Sequence, residues 1–200
     1  GMGELFNENH KVEIISGGQT LNPSIEDIAK AIEKTNAKNV IVLPNNSNII
    51  MAANAAKDII EGVNVEVIET KFMTQALECL VHYTEDRTIE ENVGAMKEAI
   101  SEMDNYEITY AIKDTSISGV EIKENDYLVL KNGKIVASTA NINEVMENIM
   151  NEIVEDDKEV VTVLMGENSD ASLIEKLDFP EAVGPEIKII LDFKSMINLA

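Results

Sequence analysis

A chain of 200 residues that is 44% hydrophobic and 26% charged has ordinary globular composition and enough length to bury a core, which excludes global disorder. Its charge is less ordinary: 37 acidic residues against 16 Lys and Arg give −21, and Arg87 is the sole arginine. Such a surface argues against nucleic acid and against docking on anionic membranes, because both need a basic face.

In chain order, residues 1–10 read as a flexible polar arm. Val12, Ile14 and Ile15 predict a short strand that stops at Gly17-Gly18. Ile25, Ile28, Ala29 and Ile32 then fall at i, i+3, i+4 and i+7, one apolar helical stripe. Ser24 with Asp27 three residues later reads as the start of a capping box. Val40 to Leu43 is a continuous apolar run, as expected of a strand buried on both faces. An alanine-rich helix is expected over 49–60, a third strand over 63–68, and a third helix stripe through Met73, Ala76, Leu77, Leu80 and Val81. Strand-helix alternation implies a parallel sheet with right-handed crossovers.

Residues 89–103 give another helical stripe. The period then changes to two along Tyr106, Ile108, Tyr110 and Ile112, which predicts a strand with one face toward solvent. Lys131-Asn132-Gly133-Lys134 lies between two apolar runs, and Asn-Gly there predicts a hairpin. A helix follows over 142–153, then a strand at 160–165, a helix at 169–177 and a last strand at 187–191. The fold class is α/β: a mixed sheet with a parallel strand-helix front half and an antiparallel hairpin insertion in the second half. Residues 11–200 read as a single α/β domain, divisible into lobes 11–84 and 105–200 joined by helix 88–104.

Ligands of open parallel sheets bind where strand ends run into helix N-termini, so the candidate residues lie in those loops. They are Gly17, Gly18, Gln19, Thr20, Asn22 and Ser24 after the first strand, Asn45, Asn46 and Asn48 after the second, and Thr70 and Lys71 after the third. Parallel strands would set these loops on one rim. The glycines permit close backbone approach, the amides and Thr20 offer neutral hydrogen bonds, and Lys71 adds a positive charge. The plainer account is structural: Ser24 and one residue of 46–48 are expected as helix caps, and Gly-Gly as a turn.

Other signals are weaker. Cys79 and His82 are at i, i+3, yet the only further histidine is His10 in the arm, so ordinary helix roles are expected and no metal is assigned. Lys113-Asp114-Thr115-Ser116 reads as a turn. No phosphate-binding lysine loop, dinucleotide loop, serine elbow or zinc-binding helix motif is present, and no catalytic residue is assigned. A lone cysteine excludes an internal disulfide. The N-terminus lacks the basic and apolar regions of a signal peptide, so the cytoplasm is the expected compartment. Gly1 ahead of Met2 reads as a cloning remnant, and a piece of a longer protein is expected.

The loops also carry a resemblance. Gly17-Gly18-Gln19-Thr20-Leu21-Asn22-Pro23-Ser24 and Val42-Leu43-Pro44-Asn45-Asn46-Ser47-Asn48-Ile49-Ile50-Met51-Ala52-Ala53 resemble signature segments of the dihydroxyacetone-kinase-like proteins, the catalytic subunits of bacterial fatty acid kinase. Glu69-Thr70-Lys71 with Gln75, and the hairpin around Asn132-Gly133, are similar to further family segments. The resemblance covers most of residues 12–165 and implies the C-terminal domain of such a protein. It implies a task of docking an acyl-carrying protein of the DegV family, and a homodimer. It places ATP and magnesium in an N-terminal domain to which nothing here corresponds, so no cofactor is expected in this region. The chain departs from the family at Glu69, Thr74 and Ala76, and it lacks a second Gly-Gly-Gln loop near the end. A different reading makes the rim a site for a small phosphorylated metabolite, bound or turned over, with Lys71 and helix N-termini supplying positive charge.

Overall fold

The computed structural model describes residues 12–15, 22–155, 160–166 and 186–193. The chain divides into two compact units, one over residues 2–103 and the other over 104–200.

In the first unit the elements are α1 (Ile25–Lys34), β1 (Asn39–Val42), α2 (Ser47–Ile59), β2 (Asn64–Val67), α3 (Met73–Val81) and α4 (Ile89–Ser101). α1 begins where the sequence places it. The Ser24 hydroxyl accepts from the Asp27 N–H (3.1 Å), and the Asp27 carboxylate accepts from the Ser24 N–H (3.0 Å). β1 and β2 pair in parallel, from Asn39 opposite Asn64 to Val42 opposite Val67. Both faces of β1 are covered. Val40 and Val42 pack into a core with Ile28, Ile32, Ala53, Ala56, Val65 and Val67. Ile41 and Leu43 pack into a second core with Ile68, Cys79, Val93 and Met96. That two-sided burial is why the run from Val40 to Leu43 has no polar alternation.

The expected first strand is corrected here. Residues 12–15 are not paired into a strand. Glu13 forms an ion pair with Lys34, Ile14 is 49% exposed, and Ile15 packs at the edge of the first core. A stretch with an ion-paired carboxylate and an exposed isoleucine lacks the two buried faces that an inner parallel strand needs.

The segment between α3 and α4 is organised by one side chain. Asn92 is 2% exposed. Its amide donates to the carbonyls of Thr84 (2.9 Å), Thr88 (3.2 Å) and Arg87 (3.4 Å), and its Oδ1 accepts from the Thr84 N–H (3.0 Å). Thr88 and Glu91 form the capping box of α4 beside it.

The second unit contains β3 (Tyr106–Tyr110), β4 (Thr115–Ile117), β5 (Val120–Ile122), β6 (Tyr127–Lys131), β7 (Lys134–Thr139), α5 (Ile142–Glu155), β8 (Val160–Gly166) and β9 (Glu186–Phe193). β3, β6 and β7 form an antiparallel sheet in the order β3-β6-β7. Val129, Tyr106, Tyr127 and Ala137 cover one face together with Ile142, Val145, Met146 and Ile149 of α5. Leu128, Leu130 and Ile135 cover the other with Ala111, Val120 and Ile122. The fold is α/β, with its parallel and antiparallel strands in separate sheets.

Asn132 (φ 52°) and Gly133 (φ 78°) form the expected two-residue turn. A bulge between Val129 and Leu130 leaves Val136 out of register and 51% exposed. The stretch Lys113–Ser116, expected as a turn, runs instead into the hairpin β4–β5, whose turn is Ser118 (φ 54°) and Gly119 (φ 85°). β8 and β9 pair in parallel. The expected arm over 1–10 and the helix over 169–177 lie outside the described residues.

Asn92→Ala should lower stability by about 2 kcal/mol, because it strands the Thr84 N–H and three carbonyls. A drop in the urea midpoint with unchanged slope checks this. Burial pushes the Cys79 thiol up to about 12, and the side chain is fully buried. Cys79 should therefore ignore a thiol reagent in the folded chain and react promptly once urea unfolds it.

Candidate functional site

The carboxyl ends of β1 and β2 meet, and the site is built there. After β1 the chain turns at buried Pro44 and at Asn45, whose φ of 58° lies in the left-handed region that Asn tolerates better than most residues. The turn aims the Asn45 N–H across to β2, where the Thr70 hydroxyl accepts it at 3.0 Å. Thr70 is 0% exposed. The Asn45 amide nitrogen faces the Met73 sulfur at 3.6 Å, so the start of α3 is drawn to the same point. Asn45 Oδ1 is buried and has no hydrogen-bond partner among the described residues.

Asn46 caps α2. Its Oδ1 accepts from the Asn48 N–H at 2.9 Å, which settles which residue of 46–48 is the cap. On the β2 side, Gln75 Oε1 accepts from the N–H of Lys71 (2.7 Å) and of Phe72 (3.3 Å), fixing the entry to α3.

The structure thus brings the second and third loops together. Of the expected site residues, Asn45, Asn46, Ser24 and Thr70 have their groups committed to turns and caps, and they shape the rim. Asn22, Asn48 and Lys71 have exposed side chains. Gly17, Gly18, Gln19 and Thr20 lie outside the described residues. Sequence reasoning missed Met51, on α2 one turn past its start, which is 83% exposed. The signal was available: Met51 sits off the stripe that buries Ala53 and Ala56.

Cys79 and His82 do not come together as ligands. Cys79 is buried, while His82 is exposed and pairs with Glu78 at 3.0 Å. Among the described residues no group of three or more His, Cys, Asp or Glu is placed to hold a metal ion. No helix among them is long and apolar enough to cross a membrane.

Residues 1–180 match the FakA-like C-terminal family, whose full-length members are described as fatty acid kinase subunits. The chain is 37% identical over 190 residues to an uncharacterised protein of Staphylococcus epidermidis, covering 94% of this chain and 34% of that protein. It is 38% identical to an uncharacterised protein of Staphylococcus saprophyticus and 37% to one of Staphylococcus aureus, with the same coverage. The chain spans about a third of the length of the curated relatives it matches.

Thr70→Val removes the acceptor of the Asn45 N–H and should destabilise the first unit by about 1–3 kcal/mol. Asn45→Ala should cost about 1 kcal/mol more than Asn45→Gly, because alanine resists the left-handed turn and glycine does not. Thermal unfolding of the three variants checks both statements.

Proposed function

This chain belongs to the FakA-like C-terminal family of fatty acid kinase, and we propose that its task there is to dock an acyl-carrying protein of the DegV family. The domain holds that partner for a phosphoryl transfer whose ATP and magnesium are bound elsewhere in the full-length protein. The observation that carries the reading is the rim at the ends of β1 and β2. It combines neutral amides and an exposed methionine on a backbone locked by Thr70, Asn46 and Gln75.

The chemistry of the rim suits a protein surface. The stretch Val40–Ala56 carries no charged residue, and neither does Ile14–Ile25, in a chain of net charge −21. A partner approaching these segments meets hydrogen-bond donors and acceptors without an adjacent carboxylate to repel it. Asn48 offers a polar contact and Met51 an adaptable apolar one, a combination common at docking surfaces. Gly17 and Gly18 would let a partner's backbone approach closely, and Gln19, Thr20 and Asn22 would complete the hydrogen bonds.

Calorimetric titration of this chain against DegV-family proteins of the same genome, with and without bound fatty acid, tests the reading. Saturable binding is expected, weakened at least tenfold by Met51→Ala with Asn48→Ala or by Gly17→Ala with Gly18→Ala, each variant remaining folded by circular dichroism. If neither this chain nor the full-length protein binds any such partner, the proposal fails.

A further inference from the structure

We propose that β3 is a self-pairing edge, to which a second copy of this chain adds its own β3 antiparallel about a two-fold axis at Ile108. The proposal lies in the second unit and does not rest on the docking reading.

β3 ends its sheet, and no described strand pairs on its outer side. The backbone of Ala111 faces β6: its N–H donates to Asp126 (2.9 Å) and its carbonyl accepts from Asn125 (2.8 Å). Alternation along the strand turns Glu107 and Thr109 the same way and points the backbone groups of Ile108 outward. Natural sheets guard such an edge with lysine, proline or a bulge. β3 has none of these. Ile108 is 38% exposed, and Ile112, just past the strand, is 67% exposed. From Asn105 to Ile112 the only charged residue is Glu107.

The occupant follows from the strand's own order. Tyr106-Glu107-Ile108-Thr109-Tyr110 reads aromatic, polar, isoleucine, polar, aromatic from either end. Such a palindrome is what an isologous antiparallel contact requires. Centred on Ile108, the pairing sets Ile108 against Ile108, Tyr106 against Tyr110, and Glu107 against Thr109 of the other copy. Two chains of −21 can meet only where carboxylates avoid each other, and this register keeps the two Glu107 apart. It also gives each a hydroxyl donor. Among the described residues no donor reaches the Glu107 carboxylate, and burial alone holds its pKa above the usual range. A register centred on Glu107 would oppose like charges. One centred on Thr109 would put Glu107 against Ala111. A single added strand on each side is a small interface, so the dimer is weak and concentration-dependent.

Sedimentation of the whole 200-residue chain from micromolar to millimolar concentration tests this, with two substitutions at one position. Thr109→Glu opposes Glu107 with a carboxylate twice over and should weaken the dimer about tenfold. Thr109→Lys opposes it with an ammonium group and should tighten the dimer several-fold. Ile108→Lys, at an exposed position, should leave only monomer with an unchanged circular dichroism spectrum. A wild-type chain that stays monomeric throughout overturns the proposal. So does a dimer that responds to neither Thr109 substitution, or to both in the same direction.

Discussion

The hydrogen bond from the Asn45 N–H to the Thr70 hydroxyl is the constraint on which the first unit's working end depends. β1 is buried on both faces, so the chain leaves it inside the protein, at buried Pro44. A backbone N–H left there must find an acceptor, since an unpaired one costs about 1–3 kcal/mol. The neighbouring strand end supplies it from a side chain that is itself wholly buried. Once that closure is made, the direction of α2 is set by the Asn46 cap and that of α3 by Gln75. Thr70 is therefore a positioning residue. The side chains left facing outward on this rim are Asn48, Met51 and Lys71.

The second unit solves the same burial problem differently. Its central strand β6 is also covered on both faces, by α5 on one and by the residues around β4–β5 on the other. Its chain reversals are local, made by residues that accept positive φ: Asn132-Gly133, Ser118-Gly119 and Asn125. The Asn132 side chain does more than turn. Its Oδ1 accepts from the Asn105 N–H at 2.9 Å and its amide donates to Asp104 at 3.0 Å, so the hairpin tip also anchors the entry to β3. Lys131 adds a second tie, from β6 to Glu152 of α5, with its ammonium 5.4 Å from the Tyr106 ring. That pairing holds the Lys131 pKa up and the Glu152 carboxyl down. β3 is thereby fixed along its inner side and at its start, while its outer side faces away from the sheet.

Much of this was legible in the sequence because it depends on local spacing. Helical stripes, the Ser24–Asp27 box and Asn132-Gly133 are short-range signals, and each forms as expected. Val12–Ile15 misled because a run of apolar residues says nothing of whether a neighbouring strand is present to pair with it. β4–β5 was missed because its strands are three residues each, too short for alternation to declare itself. The role of Thr70 was beyond reach for a different reason. A threonine after a strand looks like a ligand-facing hydroxyl, and only the approach of Asn45, 25 residues earlier, shows where that hydroxyl is engaged. Met51 lay in plain view but off the core stripe, where an exposed apolar side chain in a helix is easily passed over.

Charge connects the two units. At physiological ionic strength, fields of exposed carboxylates fade over roughly 8 Å, so a surface patch is judged by its own nearby charges more than by the total. This chain places its acids densely on helix surfaces and leaves a few segments without any. Val40–Ala56 and Ile14–Ile25 carry none, and Asn105–Ile112 carries one. The first of these forms the rim and the last forms the free edge of a sheet. In a strongly acidic protein, such neutral stretches are where close contact is cheapest, because no carboxylate must be stripped of water or pushed against another. Acidity elsewhere then acts as selection: it repels approach along most of the surface and leaves the neutral patches as the places where contact can persist.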